Sequence, residues 1–306
     1  MTIFSGKTIL GLDLGGSSIK VAVLEFNTEG NPMIVATESR NIHPSRTPGR
    51  VIEDLCEVKE EFKNIYGDFD AIGLGMPGLL NDDSGVTTHL SNFPVEWEGY
   101  FFRDELKARF AQEVTISNDA RAFSVAESVL GVAAGLDTVI CVVLGTGVGG
   151  GVVIGGRLWK GTGSAGELGH QTVELNGPIC GCGNRGCIES IAGSSAIISA
   201  GGKSSVREVF QAAKAGDDLA RTAVSRAISA LAAGLGNAYL VLAPDAIVVG
   251  GGIADAGAQL FDPLIKAIHD RVRTVPSGSI RVLKAKLGVF AGAVGAALLA
   301  AESINS

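Results

Sequence analysis

Residues 8–26 read TILGLDLGGSSIKVAVLEF, and residues 138–154 read TVICVVLGTGVGGGVVI. In each stretch an apolar run enters a glycine-rich turn and a second apolar run leaves it, which is the pattern of a β-hairpin. Short apolar strands and segments of helical periodicity follow each hairpin. The chain is therefore predicted to be an α/β protein with two lobes, each a mixed sheet with flanking helices.

No linker-like segment is visible between the two halves of the sequence. The expected domain boundary is therefore inferred from the repeat of the hairpin. We place a small N-terminal α/β lobe at residues 1–119 and a larger C-terminal lobe, which carries a cysteine-rich loop, at residues 120–289. The small-residue segment 290–306 is expected to form a helix that packs back on the first lobe.

Composition narrows the class of protein. The chain has 306 residues, 25 Lys and Arg against 32 Asp and Glu, a net charge of −7 and 46% hydrophobic residues. A mildly acidic chain without a basic cluster is a poor partner for nucleic acid or for a membrane surface. The first seven residues lack the basic and apolar regions of a signal peptide, so a cytoplasmic location is expected.

The glycine turns suggest phosphate binding. The sequence has no G-x-x-x-x-G-K-[ST] motif, and its two G-x-G-x-x-G matches, at 73–78 and 145–150, do not open helices as a dinucleotide site requires. Backbone N–H groups of such turns can hold phosphate oxygens, with help from nearby hydroxyls, and Asp13 could hold Mg²⁺ through water. Each turn alone could be only a tight turn, but matching positions in two lobes favour phosphate binding.

Three cysteines lie within eight residues, at Cys180, Cys182 and Cys187, and His170 lies ten residues before the first of them. A Cys₃His set is typical of a closed tetrahedral zinc site. Reduced cysteines without metal are the alternative, and the close spacing favours metal. Cys56 and Cys141 are predicted to be small core residues.

Three carboxylates are candidates for chemistry. Asp119 follows a strand and could accept a proton from an attacking hydroxyl. Its position alone favours the other role, which is the N-cap of the next helix. Glu167 and Glu189 flank the cysteine loop and could bind the hydroxyls of a polyol. Taken singly, each would more often be a surface charge.

These motifs together resemble those of the ROK family (repressors, open reading frames and kinases) of sugar kinases, whose fold is the actin-like ATPase fold. The resemblance covers Ile9 to Glu302. It is carried by the segments Asp13–Gly16, Pro77–Gly78, Asn118–Ala120, Gly145–Gly150, Glu167–His170, Cys180–Glu189 and Gly250–Gly252.

The resemblance implies an ATP-dependent kinase that phosphorylates the 6-hydroxyl of a hexose, with Asp119 as catalytic base. It implies that further sugar contacts come from Gly78, Asn92, Asn118, Glu167, His170 and Glu189. It implies that ATP and Mg²⁺ are bound by Asp13, Gly15, Gly16, Ser17, Lys20, Gly145, Thr146, Gly147, Gly250, Gly251 and Gly252. Structural Zn²⁺ on His170, Cys180, Cys182 and Cys187, and a homodimer, are also expected from the resemblance.

The preferred sugar is less well defined. Residues 90–97, LSNFPVEW, resemble the Asn-Leu-Pro-x-x-Trp stretch of glucokinases with Phe93 in place of Leu, which favours glucose. N-acetylmannosamine, N-acetylglucosamine, fructose and mannose stay open. Arg121 stands where such kinases usually carry a small polar residue, and it either projects harmlessly or alters specificity.

Two other functional classes are alternatives to a kinase. The family's repressors carry a DNA-binding domain before the first glycine turn, and only seven residues precede Thr8 here. A sugar-binding regulator without catalysis is the remaining alternative. The presence of both Asp13 and Asp119 argues against it.

Overall fold

A computed structural model of the chain describes residues 4–80, 85–89, 93–276 and 278–304. It contains two compact units: unit 1 comprises Met1–Ala126 and Val289–Ser306, and unit 2 comprises Glu127–Gly288. The division falls after Ala126, within helix α3 (Asp119–Val129), seven residues beyond the position expected from the repeated hairpin. The first two turns of α3 belong to unit 1, where the carbonyl oxygen of Ala122 meets the backbone of the C-terminal helix at Gly295.

Unit 1 is built on a five-stranded mixed sheet in the order β3-β2-β1-β4-β7. The first three strands pair antiparallel, and β1, β4 and β7 run parallel. The hairpin predicted at the first glycine turn is present. The strands are β1 (Thr8–Leu14), β2 (Ser18–Phe26), β3 (Pro32–Asn41), β4 (Ala71–Met76) and β7 (Val114–Asn118), with a separate short pair β5 (Leu79–Leu80) and β6 (Thr87–His89).

The helices of unit 1 cover this sheet. They are α1 (Pro48–Tyr66), α2 (Phe102–Phe110), the first turns of α3, and α9 (Ala291–Ser303). Residues Ala291 to Ala301 of α9 are all buried, and the helix lies on β1 and β4. A Cβ atom on Gly11 or Gly73 would overlap the backbone of α9, so these strand glycines let the helix approach closely.

Unit 2 repeats the sheet of unit 1 in strand order and direction. The order is β10-β9-β8-β11-β12, with the first three strands antiparallel and β8, β11 and β12 parallel. The predicted α/β fold with a mixed sheet in each half is therefore confirmed. The strands are β8 (Thr138–Leu144), β9 (Val148–Ile154), β10 (Arg157–Leu158), β11 (Ala246–Gly250) and β12 (Val282–Lys284).

The helices of unit 2 pack around its longest helix. They are α4 (Glu189–Ala192), α5 (Ser194–Gly201), α6 (Val206–Lys214), α7 (Asp218–Leu242) and α8 (Ala258–Arg271). Among the described residues, α7 is the one helix long and apolar enough to cross a membrane, and 50% of its apolar window is buried. It contacts α4, α5, α6 and α8, as a core helix does, so its composition is weak evidence for a membrane span.

A buried carboxylate ties the beginning of unit 2 to its end. Glu127 is fully buried, and its Oε1 accepts hydrogen bonds from the backbone N–H groups of Lys286 and Leu287 at 2.9 and 2.7 Å. Its Oε2 accepts one from the N–H of Val132 at 3.0 Å. Three backbone donors thus satisfy a charge that would otherwise be costly to bury.

Candidate active site

Two carboxylates lie together at one edge of the sheet of unit 1. Strands β1, β4 and β7 are parallel, so their carboxyl ends meet there, and Asp13 and Asp119 are both at that edge. Gly75 lies next to both, because a Cβ on it would be 3.3 Å from Asp13 Oδ1 and 3.7 Å from Asp119 Cα. Burial, followed by the negative charge of Asp119, raises the pKa of Asp13 to about 8, and the charge of Lys20 opposes this.

Asn118 is the side chain that caps α3. Its Oδ1 accepts hydrogen bonds from the N–H groups of Ala120 and Arg121 at 3.0 and 3.2 Å, and its Nδ2 donates to the carbonyl of Gly78 at 3.2 Å. Asp119, for which a capping role was the alternative, places Oδ1 2.8 Å from the N–H of Ala120. The amide of Asn118 is thus largely engaged with backbone and fixes the residue that follows it.

Gly78 and Asn92 are two further residues predicted to contact the sugar, and the structure describes the first of them. Gly78 has φ +80°, a conformation that favours glycine. Asn92 lies outside the described residues. The turn that follows it is anchored by Trp97, which is 1% exposed, donates from Nε1 to the carbonyl of Arg46 at 2.7 Å and meets Phe93 edge-on.

The first glycine turn joins β1 to β2. Gly15 N–H donates to the carbonyl of Ser18 at 2.9 Å, and Lys20 lies opposite Asp13 across the hairpin. Sequence reasoning missed Arg46, whose Nη1 lies 3.4 Å from the carbonyl of Gly16 and whose φ is +51°. A cation held beside this turn could assist an anion there, but no local sequence motif marks it.

The second glycine turn joins β8 to β9 in the same manner. Gly145 N–H donates to the carbonyl of Gly147 at 3.0 Å. Glu189, the first residue of α4, places Oε2 2.9 Å from the N–H of Val148, and a Cβ on Gly147 would overlap that oxygen. The structure therefore brings a predicted sugar residue and a predicted phosphate turn into direct contact.

The segment Glu167–His170 packs on β9 next to this turn. A Cβ on Gly169 would overlap the carbonyl oxygen of Val148, and a Cβ on Gly150 would be 2.7 Å from Leu168 Cδ1. Glycines on both partners allow this close approach. The third predicted glycine group, Gly250–Gly252, begins at the last residue of β11, and its central residue packs against Leu144 at the end of β8.

The cysteine loop forms a compact cluster of four ligand atoms. His170, Cys180, Cys182 and Cys187 each offer one nitrogen or sulfur, and these atoms all lie within 4.8 Å of one another. Cys182 Sγ and Cys187 Sγ are 3.8 Å apart, and Cys180 Sγ and His170 Nδ1 are 3.6 Å apart. A tetrahedral zinc with Zn–S near 2.3 Å and Zn–N near 2.0 Å would place two sulfur ligands about 3.8 Å apart and a sulfur and a nitrogen ligand about 3.5 Å apart, so the residues fit zinc.

Arg121 does not project into solvent. Its side chain is 7% exposed within α3, two residues after Asp119. This placement concerns only the side chain's position, and an effect of Arg121 on specificity stays a prediction.

Comparison with known proteins agrees with these motifs. The model of the ROK family matches residues 9–303. A glucokinase of Thermotoga maritima is 32% identical over 319 aligned positions, which cover 97% of this chain and 98% of that protein.

Solved structures give the same result for the fold. The ROK hexokinase from Thermus thermophilus matches with a TM-score of 0.87 and 33% identity, over 97% of this chain and 99% of the other. A ROK family glucokinase from Streptomyces griseus, in complex with glucose and AMPPNP, matches with a TM-score of 0.79 and 30% identity, over 96% and 99% of the two chains. The expected actin-like ATPase fold is thereby confirmed.

Proposed function

The chain belongs to the ROK family, and we propose that it is an ATP-dependent hexose kinase that converts glucose and ATP to glucose 6-phosphate and ADP. ATP as the donor is supported by the AMPPNP bound to the Streptomyces griseus glucokinase. Glucose as the preferred sugar is supported by that complex and by the Thermotoga maritima glucokinase.

The placement of Asp13 and Asp119 at one sheet edge carries this proposal. Phosphoryl transfer needs charge neutralisation and positioning more than covalent help. One carboxylate can accept the proton of the attacking hydroxyl, and the other supplies the hard oxygen donor that Mg²⁺ prefers. A binding protein without catalysis would need neither.

In the proposed mechanism, Asp119 accepts the proton of the 6-hydroxyl while that oxygen forms a bond to the γ-phosphorus of ATP. The bond from this phosphorus to the β,γ-bridging oxygen breaks, and ADP leaves. Asn118 acts mainly by capping α3 and holding Asp119 in place, with one amide N–H left for a sugar hydroxyl. Such a base contributes about 10²–10⁴-fold to the rate.

The remaining hydroxyls of the sugar are assigned to Gly78, Asn92, Glu167, His170 and Glu189. His170 can serve both sugar and metal because its two ring nitrogens point to opposite sides of the ring, and Nδ1 faces Cys180. Each unmet buried polar group costs about 1–3 kcal/mol, which gives such a site its means of discriminating between hexoses.

The phosphates of ATP are assigned to the two glycine turns, Gly15–Ser17 with Lys20 and Gly145–Gly147, and the adenosine to Gly250–Gly252. Mg²⁺, brought with ATP, would be held by Asp13 through water and would neutralise phosphate charge. The backbone N–H groups of such turns suit anionic oxygens.

Zinc is proposed as a structural ion on His170, Cys180, Cys182 and Cys187. It would fix the loop that presents His170 and Glu189. We further propose, from the family resemblance, that the protein acts in the cytoplasm as a homodimer.

The proposal is tested by measuring ADP release with ATP and each of five sugars: glucose, mannose, fructose, N-acetylglucosamine and N-acetylmannosamine. We expect the highest kcat/KM with glucose. If none of the sugars leads to release of ADP, the proposed kinase activity is refuted. If another sugar is clearly preferred, only the assignment to glucose is refuted.

A further inference from the structure

The side chain of Glu189 connects the cysteine loop to the second glycine turn. Its Oε2 accepts a hydrogen bond from Val148 N–H at 2.9 Å, and its Oε1 lies 3.9 Å from Cys180 Sγ. The two oxygens of one carboxylate therefore face different groups. The bond to the turn occupies one lone pair of Oε2, so the carboxylate still has acceptor sites for a sugar hydroxyl.

Gly193 and Ser194, which join α4 to α5, also contact the second glycine turn. Ser194 N–H donates to the carbonyl of Gly145 at 2.9 Å. A Cβ on Gly193 would come within 2.8 Å of the carbonyl oxygens of both Thr146 and Glu189. The turn at residues 145–147 thus rests on this junction at three points, one of which is the carboxylate.

Two effects of opposite sign act on a phosphate at this turn. The negative charge of Glu189 repels a phosphate, which would weaken nucleotide binding. A charge-assisted hydrogen bond to Val148 N–H orders the turn before the nucleotide arrives, which strengthens binding by reducing the ordering cost. Gly147 lies close to this side chain, and Gly193 lies close to the backbone carbonyls of Glu189 and Thr146, so glycines leave the room that the hydrogen bond needs.

We propose that Glu189 is a positioning residue for the nucleotide: through Val148 N–H it holds the Gly145–Gly147 turn in the form that receives phosphates. The proposal rests on the proposed kinase function. It predicts that a residue otherwise assigned to the sugar also determines the affinity for ATP, even when no sugar is present.

The test is the affinity for Mg²⁺-AMPPNP without sugar, measured by titration calorimetry on the zinc-containing, full-length protein. Glu189→Ala removes the hydrogen bond, and Glu189→Asp keeps the charge but shortens the side chain by one methylene. We expect both to weaken AMPPNP binding by about tenfold, with a matching rise in the KM for ATP at saturating sugar. Asp262→Asn, at an exposed acid of the same unit with no assigned role in binding, is the control and should leave AMPPNP affinity unchanged.

Unchanged or tighter AMPPNP binding by Glu189→Ala and Glu189→Asp would overturn the proposal, because repulsion would then outweigh positioning. Zinc content and thermal midpoint are measured on every variant, and Glu189→Asp decides the matter if Glu189→Ala does not fold. The kinase function is judged separately on the wild-type protein, by AMPPNP binding and ADP release.

Discussion

The carboxylate of Glu127 accepts a hydrogen bond from the backbone N–H of Leu287 at 2.7 Å, although 160 positions separate the two residues. The first predictions concern this carboxylate. Glu127→Ala leaves three backbone donors without their acceptor and should lower the free energy of unfolding by about 3–5 kcal/mol. Glu127→Gln, which keeps one acceptor oxygen, should cost about 1–3 kcal/mol. Urea unfolding followed by circular dichroism measures both.

Asp262→Asn is the control for these variants, because Asp262 is an exposed acid of the same unit. It should change stability by less than about 0.5 kcal/mol. A Glu127→Ala protein as stable as this control would show that the buried carboxylate contributes nothing.

Gly73→Ala is expected to destabilise unit 1 by several kcal/mol, because the new methyl group would overlap the backbone of α9 at Ala296. The matched control is Gly49→Ala, in the first turn of α1, where a Cβ would meet nothing within 4 Å. That change should be neutral or stabilising by up to about 1 kcal/mol. Equal thermal midpoints for the two variants would contradict the close packing of α9.

Asp119→Asn should lower kcat by about 10²–10⁴-fold while the dissociation constant for the sugar changes by less than about threefold. The isosteric amide can still hydrogen-bond but cannot accept the proton. Steady-state kinetics and calorimetry with sugar alone give the two values. A variant that retains full kcat would remove Asp119 from the role of base.

The purified protein should contain about one zinc ion per chain, and Cys182→Ser should lose both metal and stability, because metal binding and folding of such loops are coupled. Elemental analysis and thermal unfolding measure the two effects. Cys56→Ser is the control, since Cys56 is half-buried on α1 and outside the cluster. Wild-type protein that folds without zinc would contradict the assignment.

Stability without added Mg²⁺ should depend on pH through Asp13. Its pKa is raised from the ordinary 3.8 to about 8, so between these pH values the folded state holds a proton that the unfolded state has released. The stabilisation is therefore complete below about pH 4 and is lost as pH rises toward 8. Asp13→Asn should remove this part of the slope and be more stable than wild type at pH 8, by an amount of the order of a few kcal/mol, while losing activity.

Urea unfolding at pH 5 and pH 8 in the presence of a chelator measures this dependence. The exposed-site variant Asp262→Asn should keep the wild-type slope. The interpretation fails if Asp13→Asn and wild type lose stability equally between the two pH values.

Local pattern was enough to predict the elements that carry strong periodicity. Helix α7 (Asp218–Leu242) can be predicted in this way, because its apolar spacing and the Asp217 cap are both visible in the sequence. The short helices α4 and α5 were missed, since their Ser- and Gly-rich segment has no clear period. The strand pair β5 and β6 was missed for the same reason.

The arrangement around each site depends on partners distant in sequence. Asn118 rather than Asp119 supplies most of the cap of α3, and only the three-dimensional positions of the N–H groups distinguish two adjacent polar residues. Glu127 is notable in the sequence because it lies among apolar residues. Its partners near residue 286 cannot be predicted from residue spacing, because they are about 160 positions away. The contact between Glu189 and Val148 is hidden in the same way.

The packing of α9 also bears on the order in which the protein can be made. Unit 2 is one continuous stretch, residues 127–288, whereas unit 1 needs its last residues, 289–306, to cover the sheet at Gly11 and Gly73. Because these residues are made last, the sheet that is made first cannot gain this covering helix until the whole chain has been synthesised. A chain that ended at residue 288 would hold every residue of unit 2, whereas its unit 1 would lack one of the helices that cover the sheet.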